Sequence, residues 1–247
     1  MIKKILVSQP KPTSDKSPYF AIERDYDVEL VFRPFIKVEG ISSKDFRQQH
    51  VSLSDYTAVV FTSKYAIDNF FSLAKELRVN IPETMKYFCT TEAVAMYLQK
   101  HIVFRKRKIF YGNGTPSSVI DLIGPKHKDE KFLIATSDSS NVEAITSLFQ
   151  AQGLDYTASV FVKSVPQDLR DVDIDSYDLV VFYNPSDIKS LYSNFPEFKP
   201  GNARFVTFGK QIVKAMEEAG LPVEIQAPTP EAPSVARALE LYLGSHN

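Results

Sequence analysis

Along the chain, short unbroken runs of apolar and β-branched residues alternate with longer stretches in which apolar positions return every three or four residues. The first pattern suits strands buried on both faces, and the second suits helices with one face in a core. The plainest case occurs twice. Ser54-Asp55-Tyr56-Thr57-Ala58-Val59-Val60-Phe61-Thr62-Ser63 runs on into Ala66, Ile67, Phe70 and Phe71. Asp175-Ser176-Tyr177-Asp178-Leu179-Val180-Val181-Phe182-Tyr183-Asn184 runs on into Asp187, Ile188, Leu191 and Tyr192. The copies align without a gap, Tyr56 on Tyr177 and Phe61 on Phe182. Each predicts a buried strand, a polar turn and an amphipathic helix. Such a junction can gather free backbone N–H groups and hydroxyls around an anion. Two copies imply two similar half-molecules facing one ligand.

The same patterns predict further strands at 5–7, 85–89, 103–104, 108–110, 131–135, 204–208 and 223–225. Helices are predicted at 19–26, 92–99, 117–123, 142–152, 210–218 and 234–243. Strands alternating with helices predict parallel sheets covered on both faces. Two longer β-rich runs, 28–38 and 156–165, lack a helix directly after them. Pro34 lies inside the first, which argues for an edge or crossing strand, and Pro166 ends the second. They read as connectors between domains. The expected architecture is α/β, with two parallel-sheet domains joined by a two-stranded β connector and the first domain discontinuous. It comprises 1–35 with 168–247, an inserted domain over 41–157, and connecting strands at 28–40 and 156–167.

Composition narrows the partners. A chain of 247 residues with formal net charge −1 has no overall pull toward nucleic acid or anionic membrane. Its one cysteine, Cys89, forms no internal disulfide, which fits a reducing compartment. The N-terminal apolar run is too short for a signal peptide, and no stretch approaches the ~20 apolar residues that span a bilayer. A cytoplasmic monomer, free of nucleic acid and membrane, is expected. The basic run Arg105-Lys106-Arg107-Lys108 reads first as a solvated edge and second as an attraction for a polyanion.

Polar turns fall at the predicted strand-to-helix junctions: Thr62-Ser63, Thr90-Thr91, the segment 137–141, and Tyr183-Asn184-Pro185-Ser186. Gly112-Asn113-Gly114-Thr115 and Pro228-Thr229-Pro230 add two more. A hydroxyl there can cap a helix or bind a carboxylate, and in open α/β sheets ligands sit outside the carboxyl ends of strands. The chain has no Gly-x-Gly-x-x-Gly, no phosphate-loop motif and no Gly-x-Ser-x-Gly elbow. His50, His101, His127 and His246 show no metal-ligand spacing. No metal and no cofactor are expected. Tyr65, Tyr111 and Tyr183 are candidate cleft phenols.

Several segments together resemble a family. These are Val59-Val60-Phe61-Thr62-Ser63 with Ala66, and Val181-Phe182-Tyr183-Asn184-Pro185-Ser186. Later come Gly209 with Ala215, Gly220-Leu221-Pro222-Val223, and Ala227-Pro228-Thr229-Pro230-Glu231 with Ala238-Leu239. In order and spacing they resemble uroporphyrinogen-III synthase. The resemblance implies a two-domain α/β fold and a cofactor-independent lyase. Its substrate would be hydroxymethylbilane, a linear tetrapyrrole polycarboxylate. The implied reaction removes the terminal hydroxyl as water, inverts the last ring through a spiro intermediate and closes the macrocycle to uroporphyrinogen III. Carboxylate binding is then expected at Thr62, Ser63, Thr90, Thr91, Asn113, Ser137, Ser139, Ser140, Ser186, Lys210 and Thr229. Tyr183 is expected to assist loss of hydroxide.

Three positions depart from the family pattern. Phe161 stands where a tyrosine on the return connector is a candidate acid. Lys210-Gln211-Ile212 replaces hydroxyl residues after the late glycine, and Asn184 replaces a serine. The same donors would serve a two-domain protein that binds a tetrapyrrole or another small anion without chemistry, so that reading stands beside the first.

Overall fold

The computed structural model describes residues 2–138 and 142–246. The chain opens with β1 (Lys4–Val7), α1 (Pro18–Tyr26), β2 (Glu29–Phe32), β3 (Ile36–Gly40) and α2 (Ser43–Gln48). There follow β4 (Ala58–Phe61), α3 (Lys64–Glu76), β5 (Lys86–Cys89), α4 (Glu92–Tyr97), β6 (Ile109–Tyr111) and α5 (Pro116–Ile123). Next come β7 (Lys131–Ser137), α6 (Glu143–Ala151) and β8 (Asp155–Pro166). The last elements are β9 (Leu179–Phe182), α7 (Pro185–Asn194), β10 (Arg204–Phe208), α8 (Lys210–Glu218), β11 (Val223–Ala227) and α9 (Val235–His246). They fall into two compact units, 1–37 with 165–247, and 38–164.

The first unit is a five-stranded sheet in the order β11-β10-β9-β1-β2, with every neighbouring pair parallel. Side chains alternate between its faces. Ile5, Val7, Val181 and Val206 pack with Ile22 of α1 and Leu239 and Leu243 of α9. Leu6, Val180, Phe182 and Phe205 pack on the other side with Leu191 of α7 and Ile212 and Met216 of α8. Burial on both faces explains why these strands carry no polar alternation.

The second unit is a six-stranded sheet, β3-β8-β7-β4-β5-β6, in which β8 through β6 pair in parallel. Val59, Phe61, Tyr87, Cys89, Leu133 and Ala135 face one apolar layer, and Ala58, Val60, Phe88, Phe132 and Ile134 the other. β3 lies beside β8. The Ile41 N–H donates to the Phe161 carbonyl at 3.1 Å, and the Gln167 N–H to the Phe35 carbonyl at 2.9 Å, so these two segments run antiparallel.

The repeated phrase folds the same way in both places. A single 3-10 turn, Leu53–Asp55 or Ile174–Ser176, precedes a wholly buried strand, a capped turn and a helix. β4 and β9 each sit inside their sheet, between β7 and β5 and between β10 and β1.

Four local expectations change. The run 28–38 is two strands, because Pro34 lacks an N–H and interrupts the ladder. β2 completes the edge of the first sheet against β1, while β3 pairs with β8. Residues 103–104 form no strand: Val103 is 76% exposed in the loop that feeds β6. β7 continues through Ser137, past the expected 135, because the long β8 supplies pairing from Lys131↔Asp155 to Ser137↔Val162. The last turn of the helix expected at 92–99 tightens into a 3-10 turn at Leu98–Lys100. Among the described residues no helix is long and apolar enough to cross a membrane.

Candidate functional site

Parallel strands deliver their carboxyl ends to one edge of a sheet, and both units place polar turns there. In the second unit the turns after β4, β5 and β6 are stitched side by side. The Thr90 N–H donates to the Phe61 carbonyl (3.1 Å), the Gly112 N–H to Cys89 (3.0 Å) and the Gly114 N–H to Thr90 (2.8 Å). Gly114 holds φ +98°, a conformation that favours glycine. This row brings together Thr62, Ser63, Thr90, Thr91 and Asn113, with Ser137 at the end of neighbouring β7. Ser139 and Ser140 lie outside the described residues.

Their hydrogen bonds sort these side chains. Ser63 and Thr91 are N-caps: each side-chain oxygen accepts a backbone N–H, from Ala66 at 3.2 Å and from Val94 at 3.3 Å. A capping hydroxyl still has its own proton to give, so both remain competent donors. Thr62 differs, because its hydroxyl donates to the Ala135 carbonyl at 3.3 Å. Asn113 Oδ1 accepts from the N–H and hydroxyl of Thr115, at 3.1 and 2.7 Å, which leaves its NH₂ as the outward donor. Thr115 caps α5, and Ser137 is a strand residue rather than part of a turn.

The first unit carries the second row. Tyr183, Asn184 and Ser186 follow β9, Lys210 follows β10, and Thr229 follows β11. Asn184 caps α7 and accepts from the Ser186 N–H at 2.9 Å. Thr229 likewise accepts the Ala232 N–H, at 3.0 Å, and keeps its own hydroxyl proton to give. Gly209, at φ +97°, turns the chain into α8. Lys210 is exposed at the first residue of that helix. A cation opposes the helix dipole there, so the ammonium does nothing for the helix and is available to an outside anion.

Two residues that the sequence reading passed over organise this row. Asp187 is 1% exposed, and one of its carboxylate oxygens accepts from the Tyr183 N–H (2.9 Å), the Asn184 N–H (3.0 Å) and the Ser8 hydroxyl (2.7 Å). Burial pushes its pKa up against the pull of those three donors. With the Asn184 cap it forms a reciprocal capping box, and the Asn-x-x-Asp spacing was its signal in the sequence. Tyr19 of α1 is the other, its phenol hydrogen-bonded to the phenol of Tyr183. Nothing in the sequence marks that pair, since 164 positions separate its members.

Burial raises both phenols above their usual pKa, Tyr183 further, because an ionised Tyr19 beside it would oppose a second charge. Both are therefore protonated at neutral pH and serve as donors. Tyr19 packs edge-on against Phe32 at 5.4 Å, and Tyr183 lies tilted against Phe208 at 5.9 Å. The other candidate phenols differ. Tyr65 is 55% exposed, and Tyr111 is 41% exposed with its hydroxyl on Glu92 at 3.3 Å. Phe161 is fully buried between Phe46 and Phe70.

No curated protein matches the sequence. Among solved structures, the uroporphyrinogen-III synthetase of Helicobacter pylori superposes with a TM-score of 0.56 at 16% identity, covering 99% of this chain and 100% of that one. A mutant uroporphyrinogen III synthase of the extremely thermophilic bacterium Thermus thermophilus gives 0.53 at 12% identity, with coverage of 99% and 100%. At such identities these likenesses speak for the two-domain α/β fold. The family itself comes from the sequence, where the family model described as uroporphyrinogen-III synthase HemD matches residues 20–237. Matched over most of its length, the chain belongs to the uroporphyrinogen-III synthase family, lyase-type enzymes of tetrapyrrole biosynthesis.

Proposed function

We propose that this chain converts hydroxymethylbilane to uroporphyrinogen III, with loss of water and inversion of the last pyrrole ring, as a cytoplasmic monomer without metal or cofactor. The observation that carries this reading is the row of N–H and hydroxyl donors along the carboxyl edge of each sheet. A substrate with many carboxylates calls for many such donors and no single strong one. Ser63, Thr91, the Asn113 amide, Ser186, Lys210 and Thr229 are the groups whose donors stay available. Thr90 and Ser137 line the carboxyl edge of the second unit's sheet, and Thr62 shapes the turn after β4.

Ring closure of a linear tetrapyrrole is already unimolecular, so holding its two ends in register accelerates it by confining the chain to reactive conformations. Tyr183 has the chemistry to assist departure of the hydroxyl. As its C–O bond breaks, the leaving oxygen takes the phenol proton and departs as water. Tyr19 then donates its hydrogen bond to the phenolate so formed. That pair stands in for the phenol that Phe161 removes from the return strand.

The test supplies freshly made hydroxymethylbilane and separates the product isomers by chromatography. Isomer III is expected. Isomer I alone, the product of closure without enzyme, defeats the proposal. Tight tetrapyrrole binding alongside isomer I would instead support a binding protein.

A further inference from the structure

The second unit has another concavity, at the opposite end of its strands from the candidate site. Where β5 and β6 begin, a cleft of about 200 Å³ opens between the segments that lead into them. Ile81, Pro82, Ile102 and Val103 give it apolar walls, and Tyr87, Arg105, Lys108 and the largely exposed Glu83 complete the lining. Tyr87 is three residues upstream of Thr90, or ~10 Å along an extended strand. The cleft is therefore separate from the row of hydroxyls. Its walls are fixed by backbone bonds: Met85 N–H to Pro82 (3.0 Å), Lys108 N–H to Arg105 (2.9 Å) and Tyr87 N–H to Lys108 (2.8 Å).

Two features of this cleft have no use in the fold. Val103 is the most exposed large apolar residue described. Lys108 makes no ion pair among the described residues, and the only acid on Arg105 is Glu83, at 3.6 Å and 85% exposed, a weak and solvated contact. Tyr87 is 3% exposed as a residue and lines the cleft, and its phenol oxygen is not among the buried polar atoms that lack a partner. Burial lifts its pKa to about 12, which keeps the proton in place as a donor. An apolar wall, a phenol at the cleft surface and two cations describe the complement of a carboxylate attached to a small apolar body.

The geometry points to an auxiliary binding site here for a small apolar carboxylate, with its ring or short chain against Ile81, Ile102 and Val103 and its anionic head on Tyr87, Arg105 and Lys108. The volume is below the ~300–1,000 Å³ of pockets for drug-sized ligands, so one ring or a short chain fits and a tetrapyrrole does not. The basic run 105–108 thereby gains a role that the cyclisation reading leaves unfilled.

The experiment uses the full chain, benzoate as probe and benzyl alcohol as its uncharged twin, followed by methyl NMR titration. Saturable benzoate shifts are expected at Ile81, Ile102 and Val103, with benzyl alcohol at least about tenfold weaker. The variant Arg105→Gln/Lys108→Gln should lose about tenfold in benzoate affinity, and Tyr87→Phe, which keeps the ring in the core, about threefold. Circular dichroism confirms that each variant folds. If Tyr87→Phe does not fold, the rim variant decides alone. Equal affinity for the two probes, affinity unchanged in the rim variant, shifts confined to the Thr62–Asn113 edge, or no saturation by about 10 mM would each overturn the assignment. None of these outcomes depends on the cyclisation assay.

Discussion

Tyr183 is fixed at both ends, its N–H by the Asp187 carboxylate at 2.9 Å and its hydroxyl by Tyr19. A phenol so held cannot swing away from an incoming leaving group. The carboxylate that holds it is itself shared with the Ser8 hydroxyl at the end of β1. Removing the Tyr183 hydroxyl removes the acid that protonates the leaving oxygen, a contribution of roughly 10²–10⁴-fold. The expected fall in kcat for Tyr183→Phe is therefore roughly 100- to 10,000-fold, with KM nearly unchanged. Tyr19→Phe should fall by less, because Tyr19 acts through Tyr183. Stopped assays of both variants on hydroxymethylbilane check this. A larger loss in Tyr19→Phe would make Tyr19 the donor, and full activity in both would remove phenols from the mechanism. At this scale the sequence was partly legible. Hydroxyl residues at strand ends announced the caps, since capping chemistry is local. The Tyr19–Tyr183 pair stayed hidden, because only the parallel sheet brings the start of α1 beside the end of β9.

Elements were easier to read wherever burial decided them. Val59-Val60-Phe61 and Val180-Val181-Phe182 are buried on both faces, so unbroken apolar runs marked them. Val103-Phe104 looked similar but is too short to bury both faces, and a lone apolar pair does not specify a strand. The turn after α5 shows what such a reading misses. It is a 3-10 segment, Pro125–His127, and its His127 ring packs on Phe110 at 4.9 Å and Phe88 at 5.5 Å, with Nδ1 unpartnered. Burial, then the charges of Lys86 and Lys126, lower its pKa, while Glu130 opposes them. The imidazole is therefore neutral in the fold. A group with a depressed folded pKa contributes stability above its unfolded value, ~6.5, and loses it as the pH falls through the folded value. The urea midpoint should thus drop as the pH falls below about 6.5, and His127→Leu should flatten that part of the profile. An unchanged slope in the variant would assign the acid sensitivity to other groups.

At the scale of the molecule, each unit closes its own cores. Both apolar layers around β4 and β5 draw every buried member from 41–162. Those around β1 and β9 draw theirs from the two outer segments, 2–35 and 169–243. Neither set borrows a buried side chain from the other, and the chain passes between the units only along β3 and β8. A fragment of residues 38–164 therefore retains its whole interior, and at about this length a single core is enough for cooperative folding. Expressed alone, it should unfold in urea in one transition, with amide protection strongest in β4 and β7, the two central strands of the sheet. A broad, non-cooperative transition would mean that the remaining segments complete its core. The same fragment separates binding from catalysis. It keeps Ser63, Thr91 and Asn113 but lacks Tyr19, Tyr183 and Asp187. It should hold a tetrapyrrole carboxylate weakly and leave hydroxymethylbilane to close by itself to isomer I. Formation of isomer III by the fragment would move the chemistry into the second unit and free Tyr183 from the role assigned to it.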